Sequence, residues 1–107
     1  MSDFLQELMV VLRDRKENPS PDSYTSQLLA KGVDEIVKKV GEEAIEIIVA
    51  AKGQGEERLI EEIADLVFNL SVLLVQFDLS WDEVVAALAR RRPSSVSSEQ
   101  LAVSGER

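Results

Sequence analysis

Two pairs of carboxylates lie symmetrically about Gln54, and this symmetry constrains how the middle of the chain can fold. Glu43 and Glu46 precede Gln54 by eleven and eight positions, and Glu62 and Asp65 follow it by eight and eleven. If the flanking segments form an antiparallel helical hairpin, Glu46 faces Glu62 and Glu43 faces Asp65, roughly 12 Å and 16 Å from the loop. Four carboxylates that converge in this way repel one another unless a cation lies among them. The pattern therefore predicts a site for a divalent cation that prefers oxygen ligands.

The rest of the chain fits an all-α fold, a bundle of about five helices that is completed by homodimerisation. Hydrophobic periodicity and capping residues predict helices at residues 3–16, 23–31, 34–52, 56–77 and 81–91. Two prolines within residues 18–22 separate the first two helices, and Gly32 ends the second. The composition changes after Pro93, so we expect residues 1–92 to form one domain and residues 93–107 a poorly ordered tail.

The two helices that flank Gln54 distribute their apolar side chains differently. In the third helix one arc of roughly 120° holds the apolar residues, namely Ile36, Val37, Val40, Ala44, Ile47, Ile48 and Ala51. Glu43 lies at the border of this arc, where an unpaired carboxylate is costly. The fourth helix has a main apolar face between Leu59 and Phe77, and a second apolar side with Phe68, Val72 and Val75. We expect a second copy of the chain to cover the second side, as a two-fold dimer.

The composition limits both the chemistry and the partners of the chain. It contains no cysteine and no histidine, which excludes disulfides, thiolate catalysis and acid–base catalysis by histidine. A formal net charge of −8 disfavours nucleic acid and anionic membranes as partners. No secretory signal and no apolar run of transmembrane length is visible, so a soluble cytoplasmic protein is expected.

Magnesium fits the predicted ligand set best, because Mg²⁺ takes oxygen ligands and completes its shell with water and substrate phosphates. Manganese could substitute, whereas zinc is disfavoured without histidine or cysteine. Glu42, one helical turn before Glu46, adds a fifth carboxylate. Three interpretations of Glu42 stay open: a further ligand, a base that orients water, or an exposed side chain.

Cationic and hydroxyl side chains are candidates for phosphate contacts. Lys39 lies one turn before Glu43 and could bind phosphate or form an i,i+4 ion pair with Glu43. Ser23, Tyr24 and Thr25 begin a helix, where hydroxyls and backbone N–H groups can bind phosphate, although capping explains Ser23 equally well. Arginines such as Arg15 and Arg91 are further candidates, and most such surface arginines are only solvated.

Several segments together resemble the phosphoribosyl-ATP pyrophosphohydrolase family, within the wider group of all-α MazG-like nucleotide pyrophosphatases. They are R-K at residues 15–16, S-Y-T at 23–25, K-K-V-G-E-E-A-I-E at 38–46 and E-I-A-D-L at 62–66. The resemblance spans about residues 5–91. Family members commonly have Tyr-His where this chain has Phe68 and Asn69, so either the histidine is not required or Asn69 replaces its hydrogen bonding.

The resemblance implies hydrolysis of the α–β phosphoanhydride of phosphoribosyl-ATP to phosphoribosyl-AMP and pyrophosphate, the second step of histidine biosynthesis. Together with the carboxylate pattern, it assigns the metal to Glu43, Glu46, Glu62 and Asp65, with Glu42 completing the catalytic group. The expected substrate contacts are Arg15, Ser23, Tyr24, Thr25, Lys39, Asn69 and Arg91. Two alternatives stay open: a house-cleaning pyrophosphatase for dCTP, dUTP or damaged nucleotides, and a non-catalytic helical dimer with a solvated acidic stripe.

Overall fold

A computed structural model describes residues 3–91 of the chain, and these residues form five α-helices. The helices are α1 (Asp3–Glu17), α2 (Tyr24–Lys31), α3 (Val33–Gly53), α4 (Glu56–Gln76) and α5 (Trp81–Arg90). Each end lies within one residue of its predicted position, and residues 3–91 contain no strand, so the predicted all-α fold class is confirmed. The predicted tail at residues 93–107 lies outside the described residues.

Local signals in the sequence explain where α2 to α5 begin and end. The Ser23 hydroxyl accepts a 3.1 Å hydrogen bond from the Ser26 N–H and so caps α2. Gly32, at φ 94°, joins α2 to α3, and Gly55, at φ 91°, joins α3 to α4. Both glycines have a positive φ that other residues rarely adopt. At the start of α5, the N–H of Ser80 donates a 2.7 Å hydrogen bond to Glu83 Oε2, which is one half of the predicted capping box.

α3 and α4 form the hairpin that the carboxylate pattern predicts, and the smaller helices pack against one end of it. α1 contacts α2 and α4, while α2 contacts α3 and α4. The buried apolar core lies between these helices and consists of Met9, Leu12, Leu28, Leu29, Ile36, Val72 and Val75. The core therefore lies at the end of the hairpin that is remote from Gln54, and the paired carboxylates lie in the half nearer the loop.

The prediction of which side of α4 packs within the chain was wrong. Val72 and Val75, assigned to the second side, are 0% and 1% exposed, whereas Ile60 and Phe77 on the predicted main face are 67% and 56% exposed. Periodicity shows that a helix has two apolar sides, but it does not show on which of them α1 and α2 pack. The arc on α3 is likewise only partly buried, since Ile36 is fully buried and Ile48 is exposed.

The half of the hairpin near the loop leaves a group of large apolar side chains exposed. These are Ile45, Ile48 and Val49 on α3 and Ile60 and Ile63 on α4, and we call them the hairpin face. The hairpin face and the paired carboxylates therefore lie in the same half of α3 and α4.

Among the described residues no single helix is long and apolar enough to cross a membrane, and α4 and α5 reach that length only as a pair bent by 100°.

Candidate functional site

Glu43 on α3 converges with Glu62 and Asp65 on α4. One carboxylate oxygen from each residue lies within 4.8 Å of the other two. Glu62 is buried, Glu43 is half-buried and Asp65 is exposed, so the group opens from the helix interface toward solvent. The hairpin register predicted from the symmetry about Gln54 accounts for this convergence. Glu46 is not within that close group, but it lines the same cleft.

The three carboxylates lie in an open cleft of about 480 Å³ between α3 and α4. The residues that line it are Glu42, Glu43, Glu46, Arg58, Glu62 and Asp65. All five carboxylates of the predicted catalytic group therefore border one cavity, together with one guanidinium. A polyanionic ligand can enter such a cleft only together with cations, because carboxylates and phosphates repel one another.

Glu43 has the most unfavourable environment of the group. Its Oε1 is buried and has no hydrogen-bond partner among the described residues. Burial raises the pKa of Glu43 above its ordinary value of 4.5, and the adjacent Glu62 carboxyl and the negative charges of Asp65 and Glu46 raise this pKa further. An all-oxygen donor set that contains a buried, unpartnered carboxylate oxygen suits a hard divalent cation.

Arg58, in the first turns of α4, is the one cleft residue that the sequence reasoning missed. Its Nη2 lies 2.6 Å from Glu62 Oε2, and its Nη1 lies 3.2 Å from Glu61 Oε1. The signal was present in the sequence, because Arg58 and Glu62 are four positions apart on one helix and residues at this spacing are neighbours. Arg58 thus holds the most deeply buried carboxylate of the cleft.

Lys39 and Asn69 border the carboxylates on the side away from the loop. Lys39 is half-buried and forms no ion pair with Glu43 within residues 3–91, so the simple i,i+4 alternative is not realised there. Asn69 is buried, and its Nδ2 donates a 2.9 Å hydrogen bond to the Asp65 carbonyl oxygen. That bond fixes the amide orientation and leaves Oδ1 buried without a partner among the described residues.

The remaining predicted substrate contacts lie away from the carboxylates. Arg15 and Ser23 line a separate cleft of about 470 Å³, where Arg15 Nη1 lies 3.1 Å from Asp14 Oδ2. Tyr24 is exposed, and Thr25 is half-buried in the first turn of α2. Arg91 is exposed at the end of α5. Within residues 3–91 of one chain, none of these side chains lines the acidic cleft.

Known proteins resemble this chain over most of its length. The family described as phosphoribosyl-ATP pyrophosphohydrolase matches residues 5–92. A phosphoribosyl-ATP pyrophosphatase from Geotalea daltonii is 49% identical over 89 residues, which cover 83% of this chain and 84% of the relative. Proteins of the same name from Leptospira biflexa and Methanocella arvoryzae are 48% and 43% identical, and the aligned residues cover 97% and 99% of those relatives and 83% and 86% of this chain.

Proposed function

The chain belongs to the phosphoribosyl-ATP pyrophosphohydrolase family, and we propose that the acidic cleft between α3 and α4 is where it performs that family's reaction. The reaction is hydrolysis of the α–β phosphoanhydride of phosphoribosyl-ATP, which gives phosphoribosyl-AMP and pyrophosphate in the second step of histidine biosynthesis. The observation that supports this location is the convergence of Glu43, Glu62 and Asp65 within 4.8 Å. We expect the enzyme to act in the cytoplasm.

Mg²⁺ is the cofactor that we propose, with Mn²⁺ as a substitute. Glu43, Glu62 and Asp65 would hold it, and Glu46 would add a ligand from the same cleft. Support comes from the oxygen-only donor set and from the buried Glu43 Oε1, which lacks a partner within the described residues. When bound, the cation would neutralise phosphate charge and lower the pKa of water.

Side chains in the cleft and near it are candidates for proton transfer and for substrate binding. Because the chain has no histidine, we propose that a carboxylate accepts the proton from the attacking water. Glu42 is our candidate, since it is exposed, borders the cleft and lies outside the close group of three. Lys39 is our candidate for a phosphate contact, because no carboxylate in residues 3–91 forms an ion pair with it.

We also propose that the enzyme is a homodimer. Ile45, Ile48, Ile60 and Ile63 on the hairpin face are 61%, 61%, 67% and 43% exposed. Exposed apolar side chains clustered on two adjacent helices are typical of a protein–protein interface. A second copy packed on this face buries them by the same contacts on both chains, as two-fold symmetry requires. The carboxylates lie on the same half of the hairpin, so the partner chain would lie close to the cleft.

The assay that tests this function measures pyrophosphate release from phosphoribosyl-ATP. We expect release with Mg²⁺ and none with EDTA, and we expect dCTP and dUTP to be poor substrates. Glu62→Gln and Asp65→Asn should reduce kcat by at least about a hundredfold while leaving the helical circular dichroism intact. Glu57→Gln is the matched control, because Glu57 is exposed on α4 and does not line the cleft.

Three outcomes of this assay would contradict the proposal. Inorganic phosphate as the released product would exclude cleavage at the α–β bond. Full activity of Asp65→Asn would remove Asp65 from the site. No turnover at all, together with no effect of Mg²⁺ on thermal stability, would favour the non-catalytic dimer.

A further inference from the structure

Arg58 is the only cationic side chain among the described residues that line the acidic cleft. We propose that Arg58 is a substrate-binding residue whose guanidinium pairs with Glu62 in the metal-free cleft and contacts substrate phosphate once the metal occupies that carboxylate. This inference rests on the proposed function. It follows from three properties of the Arg58–Glu62 pair: the burial of one partner, the exposure of the other, and the second role of Glu62.

Burial of Glu62 makes a cationic partner necessary in the metal-free protein. The Glu62 side chain is 3% exposed and lies 2.6 Å from Arg58 Nη2. A buried carboxylate without a counter-charge strongly destabilises the folded state. No other cationic side chain among the described residues lines the cleft, so Arg58 alone offsets the negative charge of Glu62 there.

Glu62 also belongs to the group of three carboxylates that could hold a metal ion. A dication bound there would compete with the guanidinium for the same carboxylate, because a dication and a guanidinium repel one another at short distance. Arg58 is free to move, since its side chain is 50% exposed and its other ion pair is with the exposed Glu61. The metal would therefore weaken the Arg58–Glu62 pair.

The released guanidinium is suited to a phosphate. Arginine has five N–H donors in a planar fork that matches phosphate oxygens, and among the described residues Arg58 pairs through Nη1 and Nη2 only. Five carboxylates border this cleft, and the substrate carries further negative charge. An arginine at its edge offers the incoming triphosphate a cation, and no other described residue that lines the cleft is cationic.

The proposal predicts opposite effects of one substitution on metal binding and on substrate binding. Arg58→Met removes the competitor for Glu62, so Mn²⁺ should bind the substrate-free protein about threefold more tightly or better. The same variant lacks the phosphate contact, so KM for phosphoribosyl-ATP at saturating Mg²⁺ should rise about tenfold. A merely structural role for Arg58 would weaken both kinds of binding together.

The experiment measures the Kd of Mn²⁺ by electron paramagnetic resonance without substrate, and KM and kcat by pyrophosphate release. Arg58→Lys keeps the charge but not the fork, so its KM should lie between those of the wild type and Arg58→Met. Lys31→Met is the matched control, since Lys31 is exposed at the end of α2 and does not line the cleft. The Kd of Lys31→Met for Mn²⁺ and its KM for phosphoribosyl-ATP should equal the wild-type values.

Weaker Mn²⁺ binding by Arg58→Met, or an unchanged KM, would overturn the proposal. If Arg58→Met does not fold without metal, Arg58→Lys carries the test, and an unchanged KM in that variant would likewise overturn it. Failure of the proposed function is distinguishable, because the wild type itself would then release no pyrophosphate. The Mn²⁺ titration would still show whether Arg58 competes for Glu62.

Discussion

The indole N–H of Trp81 donates a 2.9 Å hydrogen bond to Oγ of Ser71, and this bond joins the start of α5 to the C-terminal third of α4. The Ser71 hydroxyl in turn donates to the Val67 carbonyl oxygen at 2.7 Å. Ser71 is completely buried, so this hydroxyl is both donor and acceptor in a place that water does not reach. The position of α5 on the bundle therefore depends on a polar contact as well as on apolar packing.

We expect Ser71→Ala to lower the free energy of unfolding by about 1–2 kcal/mol, because it leaves the Trp81 N–H without its acceptor. Urea unfolding followed by circular dichroism measures the loss. A double-mutant cycle with Trp81→Phe separates the hydrogen bond from packing. The double variant should lose less stability than the sum of the single variants, and strict additivity would show that the two residues are not coupled.

Hydrogen bonds from the Lys16 side chain connect α1 to the C-terminal end of α4. Its Nζ donates to the carbonyl oxygens of Val75 and Gln76, both at 3.2 Å, and to Asp78 Oδ1 at 3.1 Å. We expect Lys16→Met to lower the free energy of unfolding by about 2 kcal/mol, since the last carbonyls of a helix favour a cation and Met restores none of these bonds. Chemical denaturation checks this, with Lys31→Met as an exposed control that should change stability by less than about 0.5 kcal/mol.

The sequence predicts the helices well because each depends on local signals. Ser23 and Gly32 cap the two ends of α2, as expected, and the spacing of the apolar residues in α3 and α4 is clearly helical. The packing of α4 was predicted on the wrong side, because apolar residues on two sides of a helix look equivalent until α1 and α2 are placed. Val72 is buried only because the short helices contact that side.

In the candidate site, too, some features follow from local geometry and others depend on how side chains pack. The positions of Glu43 and Asp65 follow from hairpin symmetry, which needs only helix geometry. The role of Arg58 depends on a rotamer that brings its guanidinium to Glu62, and the carboxylate pattern alone does not indicate that rotamer. Arg15 was assigned to the same site from the resemblance, yet it lies in a separate cleft of the single chain. Its role in substrate binding remains a prediction.

Glu43 predicts a pH dependence of stability in the metal-free protein. Its pKa is raised in the folded state, first by burial and then by neighbouring carboxylates. The contribution of Glu43 to stability is therefore fully present below its unfolded pKa of about 4.5 and is lost as pH rises through the higher folded pKa. In EDTA, Glu43→Gln should become more stable relative to the wild type as pH rises from 4 to 8.

Thermal unfolding of both proteins across this range measures the difference, and the comparison cancels the titration of groups that do not interact with Glu43. Excess Mg²⁺ at pH 8 should reverse the order, because a cation that binds only the folded wild type raises its melting temperature. A difference between the two proteins that stays constant with pH would show that Glu43 has the same pKa in the folded and unfolded states.

If the proposed dimer forms through the hairpin face, a charge at Ile60 should weaken it. Ile60 is 67% exposed in the single chain, so Ile60→Glu should not unfold it. In a two-fold interface the substitution occurs twice and buries two unpaired carboxylates, so the dimer dissociation constant should rise about a hundredfold or more. Sedimentation equilibrium measures it. Val10→Glu is the control, since Val10 is 59% exposed on α1, away from that face, and its dimer should persist. Equal dissociation constants for the two variants would place the interface elsewhere, and a monomeric wild type would contradict the dimer itself.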